Sequence, residues 1–165
     1  MRKILAALMS LGMLAGSAEA REVGDTFAIQ NVQTGKNIRP FQPKKTEGNR
    51  IVQYTHWSWK CMTWQLIESG QDTYQLRNLW TSKTLQPSSL AVANTTLWQQ
   101  PLSRGLDEQA WTFIDASGGT YFIKLKTADL YLSVDRSETN DPIVLRTFEK
   151  NDAQRWRLVA QNPWF

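Results

Sequence analysis

Apolar and polar positions alternate with period two in several short stretches of the chain. Phe27-Ala28-Ile29, Trp64-Gln65-Leu66 and Tyr74-Gln75-Leu76 each run this way, and β-branched and aromatic residues dominate them. That pattern predicts strands with one buried face. Turn formers separate them: Thr34-Gly35-Lys36-Asn37, Ser69-Gly70-Gln71-Asp72, Ser117-Gly118-Gly119 and Asn140-Asp141-Pro142. Nowhere do apolar residues recur at i, i+3, i+4 and i+7 over three turns. Short strands at regular spacing with turns between them argue an all-β barrel or sandwich.

The same beat returns three times. Trp64, Trp111 and Trp156 are spaced by 47 and 45 residues, and each is followed by two apolar residues: Leu66 and Ile67, Phe113 and Ile114, Leu158 and Val159. Upstream, Phe27-Ala28-Ile29, Tyr74-Gln75-Leu76 and Tyr121-Phe122-Ile123 recur at 47 and 47, as do Ile38, Leu85 and Leu132. A fixed period of this size marks one structural unit used repeatedly. The repeats span about 24–69, 70–117 and 118–161. One unit of roughly four strands leaves unpaired edges and an uncovered apolar face. Three units closing round an axis remove the edges and bury the three Trp with Leu66, Phe113 and Leu158.

Residues 1–20 read as a cleavable signal peptide of bacterial style. Arg2-Lys3 precede an almost wholly apolar run, Ile4 to Ala15, and Ala18-Glu19-Ala20 supply small residues at −3 and −1. The run is shorter than the roughly 20 residues that span a bilayer as a helix. Ser17 rather than Cys after Leu14-Ala15-Gly16 excludes a lipoprotein anchor. The expectation is an exported protein, secreted or periplasmic, with residues 21–165 forming a single domain of ordinary size and no membrane span.

Without the signal, 17 basic and 14 acidic residues remain, interspersed, with Lys44-Lys45 the only adjacent basic pair. A nucleic-acid binder more typically gathers its basic residues on one face, so no nucleic-acid partner is expected. Cys61 is the single cysteine, which precludes an internal disulfide. It reads as a small buried hydrophobe before a core Trp, the alternative being a disulfide to a partner chain. His56 is the single histidine, so no metal site of His and Cys can be assembled. No Gly-x-Ser-x-Gly or phosphate-cradling loop is present. The reading is non-catalytic, with no metal and no cofactor.

Gln109-Ala110-Trp111 and Gln154-Arg155-Trp156, with Met62-Thr63-Trp64 keeping only the Trp, resemble the Gln-x-Trp repeats of the ricin-type β-trefoil. The likeness covers Val23 to Val159. It implies an all-β β-trefoil: a closed six-stranded barrel capped at one end by three hairpins. It also implies a lectin-like module recognising glycans or glycoproteins.

In that family a sugar site takes an Asp just after the strand marked here by Ile38, Leu85 and Leu132. It also takes an aromatic that stacks on the sugar, and an Asn or Gln near the Gln-x-Trp. The Asp accepts charge-assisted hydrogen bonds from two hydroxyls. Arg39, Gln86 and Ser133 occupy the Asp place, and none is acidic; Asp135 lies two residues beyond. Stacking candidates are Tyr54 and Trp98, with Arg146 in the third repeat. Polar candidates are Asp107 and Gln109 in the second repeat, and Asn151, Asp152 and Gln154 in the third. Gln109 and Gln154 are expected to bond backbone and hold their hairpins. An altered sugar site is best placed in the second or third repeat.

His56-Trp57-Ser58-Trp59-Lys60 is a second feature. Period two would put Trp57 and Trp59 on one face of a strand, either as an exposed aromatic patch with His56 beside it or with one or both buried under the Arg39–Gln53 loop. The non-catalytic subunits of cytolethal distending toxins are similar trefoils with such a patch. The alternative function is therefore a cell-binding or partner-binding subunit of a bacterial multi-subunit toxin, with toxin chains as partners. The tail Asn162-Pro163-Trp164-Phe165 either plugs the barrel or contacts a partner.

Overall fold

The computed structural model describes residues 26–164, so the expected signal peptide lies outside the described residues. Twelve strands follow one another: β1 Thr26–Asn31, β2 Asn37–Pro40, β3 Ile51–Tyr54, β4 Thr63–Gly70, β5 Thr73–Asn78, β6 Thr84–Pro87, β7 Leu97–Gln100, β8 Ala110–Asp115, β9 Thr120–Leu125, β10 Tyr131–Val134, β11 Ile143–Arg146 and β12 Arg155–Ala160. Each repeat contributes four. No described helix is long and apolar enough to cross a membrane.

Six of these strands pair antiparallel in a ring. β1 meets β4, β4 meets β5, β5 meets β8, β8 meets β9, β9 meets β12, and β12 returns to β1. The ring has no free edge, which is what closure achieves for a sheet. The remaining strands form three hairpins, β2–β3, β6–β7 and β10–β11. These cap the barrel and are tied to one another by backbone: the N–H groups of Gln53, Gln99 and Leu145 donate to the carbonyls of Asp141, Asn49 and Thr95 at 2.8–3.0 Å.

The three repeat Trp sit at the heart of the core with no exposed surface, and Leu76, Leu85, Ile38, Ile123 and Leu132 surround them. Tyr74, Phe113 and Tyr121 meet edge to face, at centroid distances of 5.5 and 5.9 Å, a favoured aromatic geometry. The second apolar position after each Trp behaves unevenly. Ile67 is buried but Ile114, at the equivalent outward position of β8, is 39% exposed.

Two of the three indoles also tie the core to a capping hairpin. Trp64 Nε1 donates to the Ile38 carbonyl at 3.1 Å and Trp156 Nε1 to the Leu132 carbonyl at 3.0 Å. The buried Trp111 Nε1 has no such acceptor. Truncating any of the three to Ala is expected to cost about 3–5 kcal/mol by cavity formation. Replacement by Phe separates them. Trp64→Phe and Trp156→Phe leave a buried carbonyl unpaired and are expected to cost about 1–3 kcal/mol more than Trp111→Phe. Urea unfolding of the three variants checks the order; equal losses would contradict it.

Candidate functional site

Each Trp is preceded by a one-turn 3₁₀ helix: Lys60–Met62, Asp107–Gln109 and Asp152–Gln154. The last residue of each turn is buried and points back at its hairpin. Gln154 accepts the Glu149 N–H at 2.7 Å and donates to the Thr147 carbonyl at 2.7 Å and to Ser133 Oγ at 3.0 Å. Gln109 repeats the scheme with Ser103 N–H, the Pro101 carbonyl and Gln86 Oε1, at 2.8–2.9 Å. Both glutamines thus spend their polar atoms within the hairpin. Met62 fills the same place as a fully buried apolar side chain.

A second residue type positions the walls. Asn78 Oδ1 accepts the N–H groups of Trp80 and Thr81 at 3.1 Å, and its Nδ2 donates to the Cys61 carbonyl at 2.9 Å. Asn31 does the same one repeat earlier, holding Gln33 and Thr34 and reaching the Ala153 carbonyl of the third repeat at 3.0 Å. Each asparagine pins a turn against the 3₁₀ segment beside it. The sequence carried the signal, since these asparagines are 47 residues apart. Leu125 stands in the third place.

The result is a surface depression at equivalent places in the third and second repeats, and beside the first repeat a depression that shares only the corresponding positions of Cys61 and Trp80. In the third repeat, Gln33, Ser133, Val134, Asp135, Arg146, Glu149, Ala153 and Gln154 enclose about 290 Å³. In the second, the lining includes Gln86, Pro87, Leu90, Glu108 and Thr127, around about 350 Å³. In the first, Gln42, Pro43, Trp59, Lys60, Cys61, Trp80 and Trp164 enclose about 460 Å³.

The third depression gathers most of the expected groups. Although Asp135 lies two residues beyond the family position, its carboxylate reaches the pocket. Arg146 Nε and an Nη both donate to Asp135 Oδ1, at 2.9 and 2.8 Å. Both bonds end on one oxygen, so the carboxylate keeps acceptor capacity. Asn151 is used otherwise: its Oδ1 caps the 3₁₀ turn at Gln154 N, and its Nδ2 holds Glu149 at 2.9 Å. Asp152 pairs with Arg155 at 2.8 Å.

Several expectations need correction. Register pairs Asn37 with Tyr54, Thr84 with Gln100 and Tyr131 with Arg146. The place of Tyr54 and Arg146 is therefore held in the second repeat by Gln100, not Trp98. Trp98 lies two residues earlier, half-buried, within about 3.5 Å of where a side chain on Gly48 would stand, and outside the depression. Asp107 is exposed and engaged by Lys126 at 2.7 Å. The ring of Tyr54 is covered by the Arg39 guanidinium at 3.5 Å. Trp57 and Trp59 do not lie on a strand, since residues 55–59 are irregular. They are nonetheless stacked, 5.6 Å apart and 12° from parallel, with Trp57 half exposed. His56 is exposed, its Nδ1 accepting from Asn37 Nδ2 at 2.8 Å.

Cys61 is a buried free thiol whose pKa burial pushes up, with Arg39 opposing in part. Burial in turn lowers the pKa of Arg39, which occupies the family's Asp place. Asn78→Ala is expected to lose all three turn bonds at about 1–3 kcal/mol for each buried group left unpaired. A urea midpoint matching that of the parent would show that the turn does not depend on this side chain.

Residues 17–101 and 107–164 match the model of the ricin-type β-trefoil lectin domain-like family. Among curated protein sequences none matches the chain. Similar solved structures include the designed threefold-symmetric protein ThreeFoil, 21% identical with a TM-score of 0.78, covering 81% of this chain and 97% of that one. The Rhizoctonia solani agglutinin is 16% identical with a TM-score of 0.75, over 87% of this chain and 100% of that one. The Macrolepiota procera ricin B-like lectin, solved in complex with lactose, is 18% identical with a TM-score of 0.71, over 86% and 99%. Gln-x-Trp spacing, a six-stranded ring and a family match over most of the sequence agree: the chain belongs to the ricin-type β-trefoil lectin domain-like family.

Proposed function

We propose that this protein is an exported, non-catalytic carbohydrate-binding module whose best-formed site is the third-repeat depression. The observation that carries the reading is the Asp135 carboxylate beside Gln154, oriented by the Arg146 fork. A carboxylate fixed in this way accepts hydrogen bonds from sugar hydroxyls, and charge-assisted bonds are the stronger kind. Glu149, held by Asn151, adds a second acceptor at the rim. Two carboxylates against one guanidinium favour hydroxyl donors, so the site suits neutral sugars. Such a shallow pocket binds modestly on its own, and dense display adds avidity. Export rests on the sequence of residues 1–20, and no nucleic-acid partner is proposed.

A second reading rests on the stacked Trp57–Trp59 pair. Solvent-exposed aromatic surface of that kind suits a partner chain, as in a multi-subunit toxin. A glycan array with the protein displayed at high density separates the two. Defined neutral glycans should bind, and Asp135→Asn should weaken them at least about tenfold, the equivalent of about 1.4 kcal/mol. A blank array from a folded sample would sink the lectin reading and turn the search to a protein partner.

A further inference from the structure

The first repeat has lost the family's lobe chemistry, Arg39 replacing the Asp and Met62 the Gln, and its depression lies beside those two residues rather than on them. It is not empty surface. Cys61 takes the place of Ala153 and Trp80 the place of Gln33, so the pocket overlaps the third-repeat position at these two residues and is otherwise walled by Gln42, Pro43, Trp59, Lys60 and Trp164. Trp80 is fixed by its Nε1 bond to the Pro43 carbonyl at 3.0 Å, and Lys45 Nζ lies 4.3 Å from its ring centroid. Lys60 lines the opposite wall, Trp164 arrives from the chain end, and the Trp57–Trp59 stack continues the aromatic surface.

The charge is as one-sided as the aromatics. Residues 26–63 carry six basic side chains, Lys36, Arg39, Lys44, Lys45, Arg50 and Lys60, against Glu47 alone. Glu47 is engaged by Lys83 at 3.8 Å. From residue 64 onward ten basic side chains face eleven acidic ones. Over the whole first repeat, 24–69, Asp25 and Glu68 join Glu47, so six basic side chains stand against three acidic ones, and the excess is concentrated in the segment around the depression. No acidic residue lines its depression, whereas the third-repeat depression has two.

Resting on the lectin reading above, we infer that the first-repeat depression is a second glycan site, one that takes acidic saccharides bearing a carboxylate or sulfate. Indole faces cover the C–H face of a sugar ring, and the lysine ammoniums pair with its anionic group. The concave shape suits a sugar residue better than a bilayer surface. Its cationic rim sets it apart from the third repeat, so one chain carries two sites of opposite electrostatic preference.

The test is calorimetric titration of the purified protein with 3′-sialyllactose, a heparin tetrasaccharide and lactose. Both acidic probes should bind more tightly than lactose at the first-repeat site and weaken as salt is raised, since exposed charge pairs are screened. Trp80→Ala and, separately, the exposed Lys45→Gln should each weaken the acidic probes about tenfold. Lys45→Gln guards against a folding defect in the Trp variant. Asp135→Asn should leave acidic binding unchanged. Acidic probes that bind no better than lactose, or that ignore both first-repeat variants, overturn the inference while leaving the third-repeat site standing. Binding of phosphatidylserine vesicles or an acidic aromatic peptide without saccharide binding also overturns it. Acidic binding that responds to Trp80 while no neutral glycan responds to Asp135 supports the inference and removes the third-repeat site instead.

Discussion

An unsatisfied strand edge is what makes a single repeat of this chain untenable. Four short strands leave rows of backbone N–H and C=O groups with no partner and an apolar face open to water. Only the third copy closes the ring, when β12 reaches β1 across the register Phe27↔Ala160 to Asn31↔Trp156. Closure places the three Trp together at the axis, and it also places three turns against three 3₁₀ segments at equivalent positions. The depressions are therefore a by-product of closing the sheet. What each can bind is left to the residues on its walls.

That division explains how much could be read without coordinates. Trp64, Trp111 and Trp156, with the aromatic-aliphatic pairs upstream, are fixed by the core, and their spacing carries the fold directly. The glutamines of Gln109 and Gln154 were likewise legible, because a buried amide between backbone groups has a constant geometry. Trp98 was not. Its aromatic character suggested a stacking role, but the register of β6 on β7 puts Gln100 opposite Thr84, and only strand pairing reveals that. Asp135 shows the converse. Its linear offset from Ser133 argued against it, yet the loop after β10 brings the carboxylate to Arg146.

Charge was the least legible property. Counted along the chain, basic and acidic residues alternate well enough to look uniform. Grouped by repeat, they divide into a basic first unit and nearly balanced second and third units. A threefold scaffold makes this consequential, because the pockets of different repeats then differ in sign as well as in lining. Arg39 condenses the point. It stands where the family keeps an acid, buried, with its guanidinium against Tyr54 and an Nη bonded to Asn140 Oδ1 at 3.2 Å.

The pairing of the first strand with the last has a consequence for the order of events in folding. Thr26 and Gln161, 135 residues apart, are joined by both backbone and side-chain bonds. Contacts of such sequence separation form late and make a chain slow to fold, since the loop must be closed before any of them repays its entropy. Until β12 is in place, the edge of β1 that it covers stays unpaired. Asn31 adds a latch, for it can grip Ala153 only after the third repeat is in place. The walls of the third-repeat depression are therefore completed last, by the opening residues of the described chain.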